Sequence, residues 1–198
     1  MQYPLELSFK IIALAPQIYV KDARGQELLY VKQKLLKLKE KIRVFSDSGQ
    51  ARQLYELDAD RILDFSPRIT FRDAASGQMV GAVKRQGARS LLKASYEIFG
   101  PDDRPIARIA EENPWIKLLD ALLEGIPLVG AFTGYFLNPK YGVQDLASQR
   151  TMLRVTKHRS FLESRFEIER IETSLGEASE TAVLLAILVM VLLECERG

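Results

Sequence analysis

The sequence predicts a mainly β fold: a closed antiparallel barrel of about twelve strands around a central hydrophobic C-terminal helix, plus one short amphipathic helix. Three observations lead there. Ala182 to Leu193 is an unbroken apolar run between Glu180 and Glu194. As a helix it is apolar on every face, the mark of a segment enclosed by protein. Its rise of about 18 Å falls short of the roughly 30 Å hydrocarbon core of a bilayer, so no transmembrane span is expected. Nearly everything before it reads as strand. An Asp also stands shortly before a Gly-Gln pair three times, in Asp22–Gln26, Asp47–Gln50 and Asp73–Gln78. A sheet of such hairpins, closed around the apolar tail, accounts for all three.

The elements follow in order. Leu5, Leu7, Phe9 and Ile11 alternate with Glu6, Ser8 and Lys10, the period-two pattern of a half-buried strand. Each Asp/Gly turn has mechanism behind it, because Asp bonds its own backbone and Gly accepts positive φ. Strands precede the turns at 17–21, 42–46, 68–72 and 96–99, the last leading into Gly100-Pro-Asp-Asp-Arg-Pro105 without the Gly-Gln. Strands follow at 28–33, 53–58, 79–85 and 105–110. Six residues past the glycine stand Val31 and Val83, each followed by a lysine, and Tyr55 is expected to hold that place in the middle copy. With no crossover helix between these units the sheet is antiparallel. Further strands are expected at 152–160, 161–170 and either 132–137 or 141–143, for a total of about eleven or twelve, a barrel wide enough to hold a helix.

Between the fourth hairpin and these strands the rhythm breaks. Asn113 can cap a helix and Pro114 suits its first turn. Trp115, Leu118, Leu119, Leu122 and Leu123 then recur on one helical face, with Gly125 as the stop. A lid over the barrel is the plainer reading, and a membrane or partner contact through Trp115, Leu118, Leu119 and Leu122 the sharper one.

The 198 residues suit a single domain over 1–198, with 47% hydrophobic and 27% charged residues and a net charge of +2. Bulk charge therefore calls for no polyanion, and electrostatic binding must come from local clusters. The lone cysteine, Cys195, leaves no internal disulfide and no multi-cysteine metal site. A cytoplasmic compartment is the expectation, with no signal peptide read at the start of the chain.

Three basic clusters stand out. Lys37, Lys39, Lys41 and Arg43 are interleaved with Leu36, Leu38, Ile42 and Val44, and in one strand they would share a face. Such a row could contact lipid phosphates at about 1 kcal/mol per cation; as a solvated outer face it would discourage edge pairing. Lys84, Arg85, Arg89 and Lys93 occupy the same place in the third repeat, and Arg154, Lys157, Arg159 and Arg165 form a third group. Aromatics do not interleave with these cations as stacking platforms would, which disfavours nucleic acid. His158, the one histidine, is read as structural. No metal-ligand spacing, P-loop or GxGxxG appears, so neither catalytic residues nor a cofactor are expected.

The repeated Asp-x-x-Gly-like hairpins, Phe166-Glu-Ile-Glu-Arg170, the acidic linker (Glu172, Glu177, Glu180) and the terminal helix resemble the tubby C-terminal-like superfamily, in its phospholipid scramblase and LURP-one-related branch. That resemblance implies a twelve-stranded barrel around a hydrophobic helix, and a role in binding anionic phospholipid or a protein partner. The chain departs from the animal scramblases in lacking a Pro-rich N-terminal extension and a cysteine cluster. Asp58-Ala-Asp60-Arg-Ile-Leu-Asp64 also lacks the third oxygen ligand and the Gly of a Ca²⁺ loop, so calcium-dependent scrambling is not carried over. The expected function is non-enzymatic binding of an anionic phospholipid surface or a partner, cytoplasmic and peripheral at the membrane. Two alternatives stand beside it. One is a small-molecule carrier or enzyme with a pocket between barrel and lid, which a cavity holding His158 with a carboxylate would favour. The other is a purely structural or interaction protein. The sequence does not set an oligomeric state.

Overall fold

A computed structural model of the chain describes residues 1–10, 17–32, 41–59, 68–86, 95–112, 139–158, 163–172 and 176–195. Twelve strands form a closed antiparallel barrel: β1 Leu5–Lys10, β2 Gln17–Lys21, β3 Glu27–Lys32, β4 Ile42–Phe45, β5 Gln53–Ala59, β6 Arg68–Asp73, β7 Met79–Gln86, β8 Ser95–Phe99, β9 Pro105–Glu111, β10 Lys140–Asp145, β11 Thr151–His158 and β12 Glu163–Arg170. Each strand pairs with its sequence neighbours and β1 closes the ring on β12. The helix α1, Glu177–Cys195, fills the interior. At about 1.5 Å per residue it is about 28 Å long, and Ala182 to Leu192 are 0–4% exposed on every side. Among the described residues no helix is long and apolar enough to cross a membrane.

Alternation directs the wall. Leu5, Leu7 and Phe9 of β1 face Ile168, Phe166 and Ser164 of β12 across the ladder, and the apolar members of this inward set are buried. The helix leans on β7, β8 and β9, the wall opposite β1 in the ring. Small residues make that approach possible. A Cβ on Gly81 would lie 2.6 Å from Cβ of Ala182 and 2.7 Å from the carbonyl oxygen of Phe99, and Ala107 stands two strands away on β9. Phe9 and Phe166 fill the far side.

Five hairpins close through an aspartate. Oδ1 of Asp22 accepts from the N–H groups of Arg24 and Gln26, that of Asp47 from Gly49, that of Asp73 from Ala75 and Ser76, that of Asp102 from Arg104, and that of Asp145 from Ala147 and Ser148. The fifth, Asp145-Leu-Ala-Ser-Gln149, reproduces Asp73-Ala-Ala-Ser-Gly77 bond for bond. Gln149 takes φ 58° where Gly77 takes 70°, which is why a pattern keyed on glycine misses it. Each hairpin also shifts register by a bulge just after its turn, with Leu28, Leu54, Val80, Ile106 or Met152 as the extra residue, adding local twist.

The second hairpin corrects one expectation. Ile18 faces Val31 and Ile69 faces Val83, and in the middle copy Ile42 faces Leu57, not Tyr55. The cause is a turn two residues longer past the Gly-Gln: Ser46 bonds the carbonyl of Arg52, whereas Asp22 and Asp73 bond those of Gln26 and Gln78. The strand expected at 132–137 or 141–143 is β10 at Lys140–Asp145, while 132–137 and the amphipathic segment at 113–125 lie outside the described residues.

The antiparallel order gives the barrel two unlike ends. All five Asp turns, the start of β1 and the passage from β12 into α1 lie at one end, the turn end. The connections β1–β2, β3–β4, β5–β6, β7–β8, β9–β10 and β11–β12 attach at the other, the mouth.

Candidate functional site

The described members of the three basic clusters flank connections of the same parity, β3–β4, β7–β8 or β11–β12, which attach at the mouth. Lys10, Lys32 and Lys140 are terminal residues of their strands there, Lys41 immediately precedes β4, and Lys84 and Lys157 lie within the last three residues of β7 and β11. Lys10, Lys32, Lys84 and Lys140 have no ion-pair partner among the described residues. Asp22, Asp47, Asp73, Asp102, Asp103 and Asp145 mark the opposite end.

The expected single row does not form as such. Lys37 and Lys39 lie outside the described residues, as do Trp115, Leu118, Leu119 and Leu122. Lys41 bonds Glu56 at 2.5 Å, and that carboxylate raises its pKa. Arg43 is exposed and stands opposite Glu56 in register. Lys84 faces outward between Arg68 and Glu97.

Arg85 departs from its neighbour. Lys84 and Arg85 occupy opposite faces of β7, and Arg85 takes the inward phase of Gly81 and Val83, 8% exposed, opposite the buried Tyr96. It is therefore not a member of the outer cation set. The strand alternation through Gly81, Val83 and Arg85 carries that signal in the sequence. Inward from the same end point Glu111 of β9 and Lys157 of β11, whose Nζ lies 5.9 Å from the Phe166 ring.

On the outer wall over β1 lies a groove of roughly 690 Å³. Lys21, Asp22, Glu6, His158, Arg165 and Glu167 line it. His158 Nε2 sits 2.9 Å from Glu167 Oε2, a pairing the sequence does not announce because it crosses from β11 to β12. Tyr19 bears Lys10 at 5.1 Å from its ring centre and Lys21 at 6.0 Å. Elsewhere on the wall Arg154 bonds Glu112 at 2.9 Å and Arg165 pairs with Glu163.

At the turn end a third cluster holds the start of the helix. The Tyr3 hydroxyl donates to Glu180 Oε1 at 2.9 Å. Arg170 pairs with that carboxylate and stacks 4.2 Å from the Tyr3 ring centre. Burial pushes the Tyr3 phenol up to about 12, with Glu180 adding to the shift and Arg170 opposing it. The acidic linker thus includes a residue, Glu180, that ties α1 to both strands of the β1–β12 seam at the turn end.

Comparison with curated proteins finds no match. Among solved structures the chain is similar to a protein from Arabidopsis thaliana, with 16% identity and a TM-score of 0.48 over 96% of this chain and 91% of that one. The family model described as LURP-one-related matches residues 27–173, a span running from β3 through β12. With the twelve-stranded barrel closed around its helix, that match makes the chain a member of the LURP-one-related family.

Proposed function

We propose that the protein is a non-enzymatic module that docks on anionic phospholipid surfaces, peripherally and from the cytoplasmic side, through the mouth of its barrel. The observation that carries this reading is the gathering of Lys10, Lys32, Lys41, Lys84 and Lys140 at one end, away from the aspartate turns. An end lined by these lysines meets a negative surface end-on, each cation near that surface contributing about 1 kcal/mol. Paired cations such as Lys41 and Arg154 contribute less than the unpaired ones, since part of their field is already cancelled.

Vesicle flotation tests it. Phosphatidylserine-containing vesicles should carry the protein upward at low salt and release it at high salt, where screening shortens to a few ångströms. Reversal to glutamate at Lys32, Lys41 and Lys140 should weaken binding at least tenfold. Equal binding to neutral phosphatidylcholine, or indifference to both salt and reversal, contradicts the reading and leaves a protein partner as the occupant of that end.

A second reading, a small-molecule carrier or enzyme, draws on the His158–Glu167 pair in the groove over β1. The groove lies on the outer wall over β1, and the segment expected as a lid lies outside the described residues. A screen of small acids and amines by thermal shift, repeated on His158→Ala, tests it; a ligand whose stabilisation vanishes in the variant supports it.

A further inference from the structure

We propose that Arg85 forms the floor of an internal oxyanion site at the mouth of the barrel, taking a phosphate group. The site stands apart from the membrane reading, which uses only outward cations. Arg85 is 8% exposed, and its Nε is sealed from solvent with no hydrogen-bond partner. No ion pair or ring contact engages the guanidinium either, among the described residues. Buried charges are otherwise paired, because desolvation without a partner is among the costliest events in folding. A guanidinium buried in the barrel with no partner among the described residues calls for an anion.

Among the described residues no carboxylate pairs with Arg85. Glu111, two strands away on the inward phase and one layer nearer the rim, forms no ion pair with Arg85 and is already engaged. On the other side α1 presents only apolar residues from Ala182 to Leu193. The guanidinium fork suits carboxylate and phosphate alike. Phosphate is favoured by Lys157, the other inward cation of this end, and by Lys140 at its rim, which together outweigh the inward carboxylate of Glu111. A doubly charged group gains most from that excess.

Thermal unfolding of the full chain tests the site. Inorganic phosphate and glycerol 3-phosphate are compared with potassium chloride at matched ionic strength, and phosphatidic acid vesicles with phosphatidylcholine vesicles. At about a hundredfold excess over Kd, Tm should rise by about 5–10 °C. Arg85→Met should melt at an equal or higher temperature without ligand, since an apolar side chain replaces an unpaired charge, and should lose the phosphate response. Arg85→Lys keeps the charge but loses the fork, and should weaken the response at least tenfold; it carries the test if the methionine variant does not fold. A response to soluble phosphates supports a free ligand, and an Arg85-dependent response to phosphatidic acid alone assigns the group to a headgroup. Reversal of Lys32 and Lys41 alone should keep the response to soluble phosphate even where vesicle binding is weakened. No Arg85-dependent response in either arm overturns the site.

Discussion

Gly81 of β7 and Ala182 of α1 pack so closely that a methyl group on the glycine would lie 2.6 Å from Cβ of the alanine. The helix is thus seated against one wall, and the contact sets how deep it sits. Gly81→Ala should destabilise the protein by about 1–3 kcal/mol, the usual range for overpacking. Adding Ala182→Gly should recover only part of that, because the new methyl still meets the Phe99 carbonyl oxygen at 2.7 Å. Urea denaturation of the single and double variants measures both.

The interior helix makes the barrel dependent on its own C-terminal segment. Removing Glu180 onward exposes the inward faces of all twelve strands, and insoluble protein is expected. A soluble truncation with a cooperative melt would contradict the dependence. A milder probe is Leu188→Ala at a fully buried position, expected to cost about 2–5 kcal/mol.

The Tyr3–Glu180–Arg170 cluster predicts an alkaline response. The folded phenol sits at about 12 against an ordinary 10, so the native state holds its proton more tightly than the unfolded chain does. The associated stabilisation is complete below pH 10 and is lost as the pH rises through about 12. Tyr3→Phe should therefore flatten the fall in stability between those values. Chemical denaturation of both proteins across pH 9–12, with an unchanged slope in the variant, would refute the assignment.

Asp22 is the most buried of the turn aspartates, 9% exposed, and accepts from Arg24 and Gln26 at 2.9 and 3.0 Å. Asp22→Ala removes both bonds and should cost about 1–3 kcal/mol. Asp22→Asn keeps an acceptor and should cost less. Thermal melts of the pair give the comparison.

What the sequence made legible follows from local chemistry. Asp/Gly turns and two-residue alternation are short-range signals, and they mark the hairpins; the apolar run at 182–193 marks its own burial. The expectation for Tyr55 shows the limit, since a turn lengthened by Ala51 and Arg52 shifts register and gives that place to Leu57 without disturbing the pattern on either side. The turn at Asp145 hides because Gln149 does the work of a glycine. Lys84 and Arg85 read as one basic group until the sheet sends them to opposite faces, one to solvent and one beside the helix. Partners such as His158 and Glu167, or Tyr3 and Glu180, belong to different strands or to the two ends of the chain, and only the closed ring brings them together.

The path of α1 also decides how the protein can be handled. Residue 1 lies beside the aspartate turns, where Ala23 bonds the carbonyl of Gln2, whereas Cys195 has been carried through the interior toward the lysine-rich opening. A fluorescent reporter or surface tether joined at the N-terminus therefore leaves that opening unobstructed. The same cargo joined after Cys195 would crowd it, so fusion orientation alone should separate active from silent preparations in any binding assay.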